Sequence, residues 1–279
     1  MKLFTKITLI ASGLLFVTGA VCLLIAGSMG FTVGNFRQMV YDGKFSFDID
    51  DLDDLDIFDS NDFSNVSSHS DSVEITEEFT HLEIEYGAGT LTILYDNIDH
   101  ILIETKNIRS FKADVDDNIL TIKGNADFNG IADTSHSELV ITLPRDTSLE
   151  SVDLEIGASD ANITELSAEA IDIEIGAGQA TLDKLTADKL DISVGAGQAD
   201  ISMLDTQSFN AEVGVGKLNA SLLGDEDDYN YKIDCGIGSV EIGNKSYDGL
   251  GDSHTVENGG SRSMDIDCGI GDVDIEFIE

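Results

Sequence analysis

Three residue patterns in this chain could carry chemistry, and their spacing limits what each could do. Gly-x-Gly recurs at Gly87/Gly89, Gly176/Gly178, Gly195/Gly197, Gly214/Gly216, Gly236/Gly238 and Gly269/Gly271. A glycine loop that cradles phosphate leads into a helix N-terminus, where free backbone N–H groups meet the anion, and does not recur once per strand pair. These glycines instead fall between short alternating segments. Gly157, Gly176, Gly195, Gly214, Gly236 and Gly269 therefore read as structural turn glycines, where a missing Cβ permits either positive φ or close stacking of backbones.

Cys235 and Cys268 hold the place that Ile156, Ile175, Val194 and Val213 hold in other copies of one short motif. They should point into the core from neighbouring units, within the ~4.4–6.8 Å Cα span of a disulfide. A bond and a pair of buried thiols both fit this placement. No His shares the position and the surroundings are apolar, so a catalytic cysteine is not expected. Cys22 lies in an apolar N-terminal segment.

The third pattern is acidic. Asp153, Asp172 and Asp191, beside Glu155, Glu174, Glu212, Asp234 and Asp267, form an outward ladder if the motif copies stack. Stacked carboxylates repel, and divalent cations with oxygen ligands could relieve this. The ladder lacks the Gly-Gly-x-Gly-x-Asp regularity of calcium-binding β-rolls, so weak divalent-cation association is expected rather than a defined metal site. His69, His81, His100, His136 and His254 are scattered without zinc spacing. No nucleophile elbow or Walker loop is present, and carboxylate pairs are too common to single out an acid/base couple. No catalytic, cofactor-binding or metal residues are assigned.

The elements that would position these groups follow from a repeat. Val152–Gly157, Ile171–Gly176, Leu190–Gly195 and Phe209–Gly214 share one alternating pattern at intervals of 19 residues, and Tyr231–Gly236 and Met264–Gly269 continue it after longer insertions. Each copy runs past its glycine into a second short segment, such as Ala180-Thr181-Leu182. Fixed periods near ~20 residues mark solenoids, whose units bury an apolar face only by stacking. Ile171, Ile173 and Ile175 and their counterparts would face inward; Asp172 and Glu174 and theirs would face solvent. The predicted fold is all-β, a β-solenoid (β-helix) of short stacked rungs with an N-terminal transmembrane helix; a β-sandwich is the alternative. Residues 72–143 alternate apolar and polar as well, with Asp116-Asp117-Asn118 as a hairpin turn.

The chain has 279 residues and a formal charge of -39; all 54 acidic residues follow Arg37, as do 12 of the 15 basic ones. A nucleic-acid partner is excluded on charge. Ile7–Phe36 contains no charged residue, and Ile7–Ala26 has nearly the ~20 apolar residues that cross a bilayer. With Lys2 and Lys6 before it, an uncleaved anchor would place the C-terminal domain outside the cell; cleavage as a signal peptide is the rival reading. The expected division is 1–37 for a cytoplasmic tip and transmembrane anchor, 38–72 for an acidic linker and 73–279 for the strand-repeat domain. The linker reads as a solvated stalk; a peptide docking on a partner through Phe45, Phe47, Leu52, Leu55, Ile57 and Phe58 is the alternative.

The entry strand Phe79–Ile84, the Asn118–Ile122 hairpin and Val140-Ile141-Thr142-Leu143-Pro144, followed by Leu149 and the first repeat, resemble the putative-adhesin family of bacterial cell-envelope strand-repeat proteins, a domain of unknown function. The resemblance covers about residues 73–278. It implies a membrane-anchored or exported β-solenoid of Gram-positive bacteria, sometimes linked to envelope stress, and supplies no catalytic residues. The long gap between the last two repeats departs from the family's spacing. The expected function is cell-surface interaction or envelope scaffolding without catalysis, with a cell-wall polymer or envelope protein as partner. A sensory ectodomain and a polysaccharide-processing β-helix enzyme are the alternatives.

Overall fold

Alternation of apolar and polar residues puts successive side chains on opposite faces of a strand, and the chain uses it almost throughout. The computed structural model describes residues 71–126, 137–247 and 251–279. The expected anchor at 1–37 and the linker up to residue 70 lie outside the described residues. Among the described residues no helix is long and apolar enough to cross a membrane.

The described chain is all-β. Its strands are β1 (Asp71–Ile75), β2 (His81–Asp96), β3 (Ile101–Lys106), β4 (Ile108–Asp116), β5 (Ile119–Ala126), β6 (Glu138–Pro144), β7 (Leu149–Ile163), β8 (Leu166–Ile175), β9 (Gln179–Leu182), β10 (Leu185–Val194), β11 (Gln198–Val213), β12 (Lys217–Leu223), β13 (Tyr229–Cys235), β14 (Ser239–Ile242), β15 (Lys245–Ser246), β16 (Asp252–Val256), β17 (Arg262–Cys268) and β18 (Asp272–Ile278). A 3-10 turn, Glu226–Asp228, precedes β13.

The 19-residue repeats pair in parallel and in register. Ile156 sits beside Ile175, Ile175 beside Val194 and Val194 beside Val213, through β7, β8, β10 and β11. A second parallel ladder runs through the back halves of the same units, from Ala161 to Ala180 to Ala199 to Leu218. Because β7 and β11 are long enough to serve both ladders, β7, β8, β10, β11 and β9 form a closed ring of parallel pairings. A sandwich of antiparallel sheets would not pair its repeats this way.

Both ends are finished by antiparallel strands, which cover edges that would otherwise invite another chain. At one end β5 and β6 flank β2 in parallel, with β4 antiparallel to β5, and β3 and β1 antiparallel beyond β6. The β4–β5 hairpin turns through Asp117 (φ 46°) and Asn118 (φ 68°), the two positive φ values a two-residue type I′ turn requires. At the other end β15 and β16 lie antiparallel on β14 and β13.

The last two repeats are stacked out of chain order. β17 pairs with β11 on one side and with β13 on the other, and β18 likewise lies between β12 and β14. The C-terminal repeat thus occupies an interior place, while the repeat made before it sits outside. Arg262, at the start of β17, fixes the crossing: its Nη1 donates to Leu223 O at 2.7 Å and to Tyr229 Oη at 2.9 Å, and its Nη2 lies 3.2 Å from Asp205.

Inward ranks form one apolar core, and volume is conserved within a unit. Where Phe209 replaces Leu190, Ala211 replaces Ile192; where Leu218 replaces Ala199, Ala220 replaces Ile201, and all eight are buried. Protein cores are close-packed, so such paired changes keep the ladder in register.

Candidate functional site

Since the inward positions are spent on packing, any site on the ladders must be built from outward ranks or from the corners between them. One rank runs Glu83, Asp153, Asp172, Asp191, Asn210, Asp265, Lys232, in register across neighbouring strands. Beside it runs Glu85, Glu155, Glu174, Ser193, Glu212, Asp267, Asp234. Neighbouring strands lie ~4.8 Å apart, so these carboxylates are held much closer than a Debye length. Burial, then Asp191, Glu174 and Asp153, push the Asp172 carboxyl above its ordinary range. Burial, then Glu85 and Glu174, do the same to Glu155.

Basic side chains relieve the wall locally. Lys123 Nζ lies 2.6 Å from Glu85, Lys189 pairs with Asp191, and Lys232 pairs with Asp234 and lies 3.8 Å from Asp265. Asn210 Nδ2 donates to Asp191 at 2.6 Å. Asp234, Asp265 and Asp267 bring three carboxylate oxygens within 4.8 Å of one another, the one such group among the described residues. Lys232 already sets an ammonium against two of these acids, so the arrangement suits exchangeable cations better than a closed oxygen cage.

Each glycine predicted for a turn stands at the corner between the two ladders, in the order Gly157, Gly176, Gly195, Gly214, Gly269, Gly236. None of the six has positive φ. Their common cause is close stacking: a Cβ on Gly195 would lie 2.8 Å from Gly176 O, and one on Gly214 2.7 Å from Gly195 O. Cys235 and Cys268 are register partners, buried and free. Burial pushes the Cys268 thiol up to about 11, and its Sγ donates to Gly271 O at 3.1 Å. Of the histidines, His81 and His100 lie against Glu150 and Asp99, and His254 packs on the Tyr247 ring; His69 and His136 lie outside the described residues.

One surface feature is absent from the sequence reading. The residue that follows each of these six corner glycines points outward, giving a column of Ala158, Ala177, Ala196, Val215, Ile270 and Ile237 joined strand to strand by backbone bonds such as Ile270 N to Gly214 O and Ile237 N to Gly269 O, both 2.7 Å. Val215, Ile270 and Ile237 are 46%, 49% and 65% exposed. The drift from Ala to Ile along the Gly-x-Gly copies is the signal that marks this ridge. The insertions around 224–230 and 243–263 are tied to each other: Tyr231 donates to Glu226 at 2.7 Å, Lys245 Nζ donates to Glu226 at 2.6 Å, and Asn258 donates to Glu226 O and Tyr229 O.

No family model matches the sequence, and no curated protein matches it either. Among solved structures the chain is similar to a putative cell adhesion protein from Clostridium sporogenes, at 15% identity and TM-score 0.40, covering 75% of this chain and 99% of that one. It is similar to a putative adhesin from Bacteroides fragilis, at 13% identity and TM-score 0.34, covering 75% and 98%. A putative lipid binding protein from Parabacteroides distasonis is similar at 12% identity and TM-score 0.31, covering 76% and 97%.

Proposed function

We propose that residues 71–279 are the interaction module of a cell-surface or envelope-scaffold protein: a β-solenoid that presents a double rank of carboxylates and catalyses no reaction. The observation that carries this reading is the register of the two outward ranks, which repeats one charged surface over seven neighbouring strands instead of converging on one point. Catalysis needs a few groups at one place with separated protonation behaviour, whereas a periodic wall suits an extended, repeating or cationic partner. In this reading the apolar segment Ile7–Ala26 anchors the chain in the cell membrane with the strand domain outside.

The test is retention of purified cell-wall polymers by the immobilised full-length chain, measured against salt. Amine-bearing polymers are expected to be held at low salt and released as salt rises, because the attraction is screened. Glycan turnover, or no retention of any wall polymer at low salt, would overturn the reading.

A further inference from the structure

An exposed column of large apolar side chains is unusual in a chain of net charge -39. Three of the four large hydrophobic residues exposed among the described residues share it: Val215, Ile270 and Ile237. Each follows, by three positions along the chain, a carboxylate of the outward rank: Glu212, Asp267 and Asp234. The ridge and the acidic rank therefore run side by side over the same three rungs, β11, β17 and β13.

From this juxtaposition we propose that the corner ridge docks a cationic amphipathic helix, laid along the stacking direction with its apolar face on Val215, Ile270 and Ile237 and its Lys/Arg flank on Glu212, Asp267 and Asp234. The inference names a partner for the interaction module and rests on that reading.

Spacing selects a helix over a strand. Rungs repeat at ~4.8 Å, and same-face residues of a helix recur about every 5.4 Å, so three anchors stay nearly in step. Same-face residues of an extended peptide recur at ~6.6 Å and would miss the third rung by several ångströms. Charge selects the sign. A second copy of this chain carries the same excess of negative charge, which disfavours self-association through this corner. A basic flank gains the rank's attraction while the apolar face removes three exposed side chains from water. Ala196, Ala177 and Ala158 continue the column as a shallow track for the rest of the helix.

The experiment titrates the full-length chain with three labelled peptides of ~16 residues, about the length of helix that six rungs accommodate. The first is an amphipathic Leu/Lys helix, the second a shuffled peptide of the same composition, and the third a Leu/Glu helix. Binding is read by fluorescence anisotropy, with the triple substitution Val215→Ser, Ile270→Ser, Ile237→Ser measured in the same medium. The amphipathic Leu/Lys peptide is expected to bind, the triple variant to weaken it about tenfold or more, and the other two peptides to bind far more weakly. Ala196→Ile adds a fourth apolar side chain to the column and is expected to tighten binding about threefold, so the test does not depend on the triple variant folding. Equal binding of the shuffled peptide, or an unchanged affinity in the triple variant or in Ala196→Ile, would overturn the proposal. If the chain binds no peptide but still retains wall polymer, the ridge proposal fails and the interaction reading stands.

Discussion

Cys268 lies in register between Val213 and Cys235, although Cys235 comes first in the chain. The two thiols are 3% and 4% exposed, so the rank that elsewhere holds Ile and Val is completed by small, soft side chains where the out-of-order rung is seated. With the Cys268 thiol pushed up to about 11, roughly one molecule in a thousand carries the thiolate at pH 8. Iodoacetamide at that pH is expected to leave the peptides containing Cys235 and Cys268 unmodified in the native protein and to label both in urea. Rapid native labelling of Cys268 would contradict the burial.

The acidic ranks set a pH dependence. Asp172 and Glu155 are raised in the folded chain, so the fold binds their protons more tightly than the unfolded chain does. Their contribution to stability is full below the ordinary carboxylate range and disappears as pH rises through the raised folded values. Glu226 works in the opposite sense: hydrogen bonds from Lys245 and Tyr231 lower it, and its contribution is lost as pH falls. Asp99 is lowered as well, by the hydrogen bond from His100. The net charge of -39 nevertheless favours protonation of the wall, so the melting temperature in low salt is expected to climb as pH falls through the raised values of Asp172 and Glu155 into the ordinary carboxylate range at about 4. Asp172→Asn should stabilise at neutral pH by about 0.5 kcal/mol after solvent screening and flatten the slope. Calorimetry over this range checks both; an unchanged slope in Asp172→Asn would place the repulsion elsewhere.

Adjacent residues on one strand should differ sharply. Ile192 is buried and Ser193 faces outward in the acidic rank. Ile192→Ala removes buried volume from a packed rank and is expected to destabilise by about 2–4 kcal/mol, whereas Ser193→Ala should change stability by less than about 0.5 kcal/mol. Urea unfolding of the two variants gives the comparison; similar midpoints would mean the strand faces are wrongly assigned.

The corner glycines make a separate prediction. A Cβ at position 195 meets a backbone oxygen at 2.8 Å, and the neighbouring rung cannot rotate away as a side chain could. Gly195→Ala is therefore expected to cost about 1–3 kcal/mol, while Ala196→Ser, one residue on at the exposed crest, should be near neutral. Thermal melts of both proteins test this, and a neutral Gly195→Ala would remove close stacking as the reason for the glycine.

Much of this arrangement is legible in the sequence because a strand's two faces are written residue by residue. Ile171, Asp172, Ile173 and Glu174 state which side is core and which is solvent, and the 19-residue interval states which residues become neighbours. The closing order is not legible. Tyr231–Cys235 and Met264–Cys268 carry nearly the same alternation, and either could stack on β11 by pattern alone. The choice is made by contacts the repeat does not encode, such as Arg262 against Leu223 and Tyr229 and the antiparallel seat of β16 on β13. The ridge becomes legible only with the stacking order, because Val215, Ile237 and Ile270 each stand alone between two glycines, outside the alternation that assigns a strand's faces.

The interior position of β17 and β18 has a consequence during synthesis. A chain that emerges N-terminus first can add the repeats of β7 through β12 one upon another, each new strand pair finding its neighbour already in place. The next repeat, β13 and β14, emerges before the strands that will separate it from that growing stack. Its parallel neighbours are β17 and β18, so this end of the nascent fold stays unsealed until those strands have emerged.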